Sequence, residues 1–181
     1  MIFEKQDLDG IYIITPELFK DERGYFFESF RHSEFLSKFK KNFVQHNEVF
    51  SKKSNIIRGL HYQIDKPQGK IIHVVSGAIN DVAVDIRVGS PNFGKFIIFN
   101  LTAENHKMLY IPEGFAHGYL VLEQNTIVHY KCTNYYDFES ECGIRWNDPD
   151  ISIDWGISHP ILSKKDKILP FLKKQTRLPR F

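Results

Sequence analysis

Hydrophobic and polar positions along this chain alternate mainly with a period of two, in short runs separated by turn residues. β-Branched and aromatic runs occupy Ile11 to Thr15, Gly24 to Phe30, Phe43 to Phe50, Asn55 to Gln63, Lys70 to Ser76, Ala78 to Arg87, Phe96 to Leu101, Met108 to Ile111, His117 to Leu122 and Thr126 to Thr133. About ten short strands at this spacing predict an all-β fold, an antiparallel sandwich or barrel, rather than a parallel sheet alternating with helices. Helical periodicity is confined to two peripheral places. Ser33 to Lys40 sets Glu34, Phe35, Leu36 and Phe39 at helical spacing behind a Ser N-cap, and Lys164 to Lys174 is amphipathic but broken by Pro170.

Composition narrows the class. With 181 residues, 42% of them hydrophobic, the chain can bury one sizeable core, so a single domain is expected over residues 1–181. A net charge of +2 lacks the dense basic surface of non-specific nucleic-acid binding, and no nucleic-acid partner is expected. Cys132 and Cys142 have neither zinc-site nor redox-pair spacing and read as small apolar residues. No basic segment followed by an apolar run opens the sequence, so no secretory signal is expected and a reduced, cytoplasmic setting is. No apolar stretch approaches the ~20 residues that cross a bilayer, so no membrane partner is expected.

Chemistry enters with Arg58-Gly59-Leu60-His61-Tyr62-Gln63. Period-two alternation groups Gly59, His61 and Gln63 on one face and Arg58, Leu60 and Tyr62 on the other, which makes the first face a candidate site lining. A lone histidine there is, on its own, as readily a hydrogen-bonded structural residue. In Asp81-Val82-Ala83-Val84-Asp85-Ile86-Arg87 the valines and Ile86 face the core, and the small Ala83 leaves room beside two aspartates for a polar ligand. Pro112-Glu113-Gly114-Phe115-Ala116-His117 matches half of the second motif of cupin barrels. No His-x-His occurs among the eight histidines, so His117 alone lacks the ligands a transition metal requires and a metal-free pocket is expected.

Several segments follow one another in a telling order: Phe19-Lys-Asp-Glu-Arg23-Gly24-Tyr-Phe-Phe-Glu28, Gln45-His-Asn47, Arg58-Gly-Leu-His61-Tyr-Gln63, Asp81 to Arg87 with Ser90-Pro-Asn-Phe-Gly94, Gly114-Phe-Ala-His117-Gly118, Trp146-Asn-Asp148 and Leu162-Ser-Lys-Lys-Asp166. Together they resemble the dTDP-4-dehydrorhamnose 3,5-epimerase family, from about residue 10 to about residue 170. The resemblance implies a cupin-like jelly-roll barrel, a homodimer, no cofactor, and inversion of C3 and C5 of a nucleotide-linked 4-keto-6-deoxy sugar.

The resemblance also implies roles. His61 is the expected base, Asp166 its hydrogen-bonded partner, Lys70 the cation facing the C4 oxyanion and Tyr130 the proton donor, with Tyr136 stacking on the nucleotide base. Imidazole suits the first role because its unperturbed pKa lies near neutrality. The remaining expected substrate contacts are Phe19, Arg23, Glu28, Gln45, Asn47, Arg58, Gln63, His117, Glu141 and Lys165, with the Gly24 to Glu28 segment crossing to the partner subunit. Glu48-Val49-Phe50 departs from the more polar segment expected there, which leaves sugar and base identity open. The alternatives are a C3- or C5-only epimerase, a 3,5-epimerase of a GDP-linked 4-keto heptose, a 3,4-ketoisomerase and a non-catalytic sugar-binding cupin. Gln63, where an isomerase tends to carry a second histidine, argues for epimerisation.

Overall fold

The computed structural model describes residues 1–181. Its strands are β1 (Ile2–Lys5), β2 (Tyr12–Thr15), β3 (Phe19–Asp21), β4 (Gly24–Phe26), β5 (Gln45–Ser51), β6 (Ile57–Gln63), β7 (Lys70–Ser76), β8 (Ala78–Asp85), β9 (Phe96–Thr102), β10 (Met108–Ile111), β11 (Phe115–Val121), β12 (Thr126–Cys132) and β13 (Glu141–Gly143), with one helix, α1 (His32–Phe39). One sheet runs β1-β2-β10-β7-β12-β5 and faces a second, β13-β6-β11-β8-β9. Every strand pairing is antiparallel, and the two sheets form the cupin-like jelly roll. No helix is long and apolar enough to cross a membrane.

Alternation along the strands sorts side chains into three apolar layers. Ile13, Ile72, Val74, Ala83, Leu101, Leu109, Val121 and Val128 fill the space between the sheets. Val82, Val84 and Ile86 point the other way with Ile57 and Leu60, and are covered by Ile144, Ile151, Trp155 and Leu172 of the C-terminal segment. Ile14, Ile71, Met108 and Tyr110 are covered by Phe35 of α1, whose side chain is fully buried. Burying a ring of that size stabilises by about 1.5–3 kcal/mol, so α1 is held by packing rather than by propensity. Cores on both outer faces leave the inner space free at one end of the barrel, where polar side chains replace aliphatic ones.

Some boundaries differ from the sequence pattern. The Gly24 to Phe30 run is a strand only to Phe26; Phe27 and Phe30 turn instead onto His73 and Phe35, at ring separations of 5.8 and 4.8 Å. Ser33 is not the N-cap. Arg31 takes that place without a side-chain cap, because the Phe30–Phe35 contact and an Arg31–Glu28 ion pair at 2.6 Å fix the entry of the helix. Lys164 to Lys174 resolves into two 3-10 turns, Asp166–Ile168 and Leu172–Lys174, on either side of Pro170, which cannot donate a helical hydrogen bond. The short strands β1, β3 and β13 lack enough alternation to be seen in the sequence.

Candidate active site

A cavity of about 300 Å³ opens between the sheets, lined by Val49, Arg58, His61, Tyr62, Gln63, Gln68, Lys70, His117, Tyr119, Tyr130, Tyr136, Glu141, Ser163, Lys165 and Asp166. That volume is at the lower end of those that hold a small ligand. β6 and β11 supply one wall, with His61 and His117 as direct cross-strand partners. β7 and β12 supply the facing wall through Lys70 and Tyr130, two pairs apart in register and so on the same face.

His61 Nε2 lies 2.6 Å from Asp166 Oδ1, so its Nδ1 is the ring nitrogen left free to exchange a proton. Asp166 sits at the start of a 3-10 turn and is 3% exposed. Burial opposes its ionisation, but hydrogen bonds to His61, Ser163 and the Gly59 backbone, with the imidazole's charge, outweigh it and hold the carboxyl below its usual range. The contact fixes the orientation of the His61 ring.

Behind the His61 wall, His117 Nε2 reaches both Asp81 oxygens, at 3.0 and 2.9 Å. Burial lowers the His117 imidazole and raises the Asp81 carboxyl, with each partner opposing the shift of the other. Burial likewise depresses the Lys70 ammonium, with Cys132, Asp81 and Glu141 partly opposing it. Lys70 forms none of the chain's ion pairs, so its charge faces the cavity uncommitted. Tyr130 is pushed up by burial and keeps its proton, as an acid must before its turn comes.

At the mouth, Tyr136 donates to Glu141 Oε2 at 2.8 Å and Lys165 pairs with Glu141 Oε1. Burial of Glu141 is outweighed by those two partners, and its carboxyl is held below the usual range. No group of three His, Cys, Asp or Glu side chains converges closely enough to hold a metal ion.

The structure therefore brings together ten of the residues singled out from the sequence: Arg58, His61, Gln63, Lys70, His117, Tyr130, Tyr136, Glu141, Lys165 and Asp166. Arg58 corrects the period-two reading, which had put it opposite His61. The β6–β11 register shifts between His117 and Tyr119, Gly59 adopts φ +108°, and Arg58 thereby turns inward while Leu60 joins the outer core. Gln45 and Asn47 stand just outside the cavity; Gln45 donates to Asn47 at 3.0 Å and accepts the Tyr136 backbone N–H at 2.8 Å.

Phe19, Arg23 and Glu28 are not brought to the cavity of their own chain. Phe19 and Arg23 lie on the exposed β3–β4 hairpin, with Arg23 paired to Asp21, and Glu28 is paired to Arg31. The proposed ligand seat beside Asp81 and Asp85 is also corrected: Asp81 is committed to His117, and Asp85 to Arg87 and Ser90. Val49, Tyr62, Gln68, Tyr119 and Ser163 line the cavity without having been singled out. Two of them were within reach of alternation, since Tyr119 shares the face of His117 and Val49 that of Asn47.

Known proteins share this architecture. The family described as dTDP-4-dehydrorhamnose 3,5-epimerase matches residues 5–174. The chain is 47% identical over 169 residues to the dTDP-4-dehydrorhamnose 3,5-epimerase of Methanothermobacter thermautotrophicus, covering 91% of each chain. It superposes with a TM-score of 0.95 on the dTDP-6-deoxy-D-glucose-3,5-epimerase of Legionella pneumophila Philadelphia 1 in complex with dTDP-4-keto-L-rhamnose, at 40% identity over 99% of this chain and 98% of that one. A 3'-monoepimerase from Streptomyces bikiniensis in complex with dTDP-quinovose superposes with a TM-score of 0.90, at 32% identity over 97% and 91%.

Proposed function

The chain belongs to the dTDP-4-dehydrorhamnose 3,5-epimerase family, and from that membership we propose that it inverts C3 and C5 of dTDP-4-dehydro-6-deoxyglucose to give dTDP-4-dehydro-L-rhamnose. A C4 ketone acidifies the hydrogens on both neighbouring carbons, so the reaction needs a base on one face of the ring, an acid on the other and a cation at the carbonyl oxygen. One observation carries the proposal: His61 and Tyr130 face the same cavity from opposite sheets, with Lys70 on the Tyr130 wall.

In this reading His61 Nδ1 removes the proton from C3 or C5. The C–H electron pair moves into the C3–C4 or C4–C5 bond, and the carbonyl pair moves onto the C4 oxygen, where Lys70 meets the new negative charge. Tyr130 then returns a proton to the same carbon from the other face, the enolate electrons re-form the ketone, and the centre is inverted. Asp166 holds the His61 ring in one tautomer and stabilises its cation. Arg58, Gln63, His117, Glu141 and Lys165 are assigned to the substrate, and Tyr136 to stacking on the base. Lys165 suits the diphosphate as a mobile point charge.

The proposal extends to a cytoplasmic homodimer in which the β3–β4 hairpin crosses to the neighbouring subunit. Phe19, Tyr25 and Phe26, all more than half exposed, are apolar surface that a partner would cover. Phe19, Arg23 and Glu28 would then meet the partner's cavity, and Gln45 and Asn47 would buttress Tyr136. Two free cysteines fit a reducing compartment.

Purified protein given dTDP-4-keto-6-deoxyglucose in deuterated water is expected to incorporate deuterium at both C3 and C5 without added metal or nicotinamide. No exchange at either carbon overturns the substrate, and the same assay with GDP-linked 4-keto sugars then identifies the alternative. Exchange at C3 alone reassigns the chain as a monoepimerase.

A further inference from the structure

Only two buried side-chain nitrogen or oxygen atoms in the whole chain lack a hydrogen-bond partner: Arg58 Nε and the Tyr119 hydroxyl. They are not scattered. Arg58 and Tyr119 are cross-strand partners on β6 and β11, and both line the cavity. Buried polar atoms are nearly always paired, because an orphaned one keeps its full desolvation cost, so two orphans meeting at one wall call for a missing partner.

The geometry limits what that partner can be. Arg58 is anchored at its other end, where Nη2 donates to Phe50 O and to Ser51 Oγ, each at 3.3 Å, so the direction of its Nε–H is fixed. Tyr119 is 4% exposed, and its ring is set in the inner core with Val121 and Val128. Burial pushes its phenol up, with Arg58 opposing, so the hydroxyl keeps its proton. A guanidinium N–H can only donate, whereas a phenol both donates and accepts; an oxygen that accepts from one and shares a hydrogen bond with the other satisfies both. Along β6, Arg58 lies beyond His61 from Gln63 and its cross-strand partner Glu141, where the assigned base-stacking Tyr136 is bound. A group reaching Arg58 and Tyr119 therefore belongs to the sugar end of a nucleotide sugar.

We propose that Arg58 Nε and the Tyr119 hydroxyl form a subsite for a ring hydroxyl of the substrate sugar, which makes Tyr119 a specificity-determining residue. This rests on the function proposed above. The subsite selects sugars that keep a hydroxyl at C2 or C3, because a deoxy sugar leaves both protein atoms unpaired.

The test is calorimetric titration of the full chain and Tyr119→Phe with dTDP-6-deoxyglucose and its 2-deoxy and 3-deoxy counterparts, none of which can turn over. Tyr119→Phe is expected to bind dTDP-6-deoxyglucose about tenfold more weakly, the effect of one lost hydrogen bond. The counterpart lacking the contacting hydroxyl should bind the unaltered protein about tenfold more weakly and the variant no more weakly than that, which also identifies the hydroxyl. The melting temperature of Tyr119→Phe should equal or exceed that of the unaltered protein, since an orphaned hydroxyl has been removed. Equal affinity of both proteins for all three sugars overturns the subsite in favour of a bound water, and an equal loss for all three overturns it in favour of a structural role. Binding of none of the three sinks the subsite together with the proposed function. Coupled binding without deuterium exchange in the keto sugar sinks the proposed function alone.

Discussion

His61 Nε2 and Asp166 Oδ1 lie 2.6 Å apart although 105 residues separate them in the chain. The contact joins the inner wall of the barrel to a 3-10 turn of the C-terminal segment, so closure of that segment over the second sheet completes the base. Asp166→Asn preserves the shape but offers an amide, which neither fixes the same tautomer nor stabilises the imidazolium. A kcat loss of about 10³-fold with little change in KM is expected, by analogy with other His–Asp pairs. Steady-state kinetics that show kcat within threefold of the unaltered protein would remove Asp166 from the mechanism.

Base and acid are separable because they stand on different sheets. His61→Ala should abolish deuterium exchange at C3 and C5 together, since nothing else in the cavity is placed to take the proton. Tyr130→Phe should still permit exchange, as the proton leaves and returns on the His61 side, while net inversion falls by about 10²-fold or more. The measurement is NMR of the sugar in deuterated water, and exchange surviving in His61→Ala at near the normal rate would reassign the base.

Lys70 gives a third, independent test. Lys70 is half-buried, its ammonium unpaired and facing the cavity, so it meets charge only when the enolate forms. Lys70→Met keeps the chain length and removes the charge; kcat should drop by about 10²–10³-fold, the usual effect of losing one oxyanion partner. A change confined to KM would mean that Lys70 binds ground-state substrate instead.

How much of this was legible in the sequence follows a physical line. The longer strands announced themselves because Val82 and Val84 pack outward while Asp81 and Ala83 face inward, and that alternation survives in the fold. Arg58 was misplaced because alternation assumes an unbroken ladder, and the register shift opposite Gly59 breaks it. Asp166 carries no local signal: it lies in irregular chain, and only the family pattern pointed to it. Phe19, Arg23 and Glu28 lie outside the cavity because β3 and β4 pair only with each other, while Arg23 and Glu28 pair with Asp21 and Arg31 of the same segment, which no sequence motif announces. Tyr119 was not singled out in the sequence: its ring packs in the core, and only the unpaired hydroxyl distinguishes it.

Gly59 is where the ladder break can be probed. A Cβ added there would fall 2.6 Å from the His117 carbonyl oxygen and 2.8 Å from Gly118 Cα, at a φ of +108° that side chains rarely adopt. Gly59→Ala should therefore cost at least about 2 kcal/mol, a melting-temperature drop of roughly 4–8 °C for a chain of this size. It should also lower kcat, because His61 and His117 are the residues pushed. An unchanged melting temperature would show that the strands can separate there without cost.

The outer face of the first sheet supplies a pH test unconnected with catalysis. His73 is wedged against Phe27, with its cross-strand partner His129 and with His106 and Lys131 nearby. Burial first, and then those neighbouring cations, depress it from 6.5 to about 4. Between those two values the unfolded chain holds a proton at this position that the folded chain lacks, so stability is lost as pH falls through the window and levels off below about 4. His73's share is about 3 kcal/mol. His46 and His117, also depressed mainly by burial, act in the same direction. Replacing His73 by Gln removes one titrating group and leaves the others, so the drop in melting temperature between pH 7 and pH 4 should shrink by roughly 6–10 °C. Parallel melting curves for the two proteins across that range would show that His73 takes up its proton in the folded state.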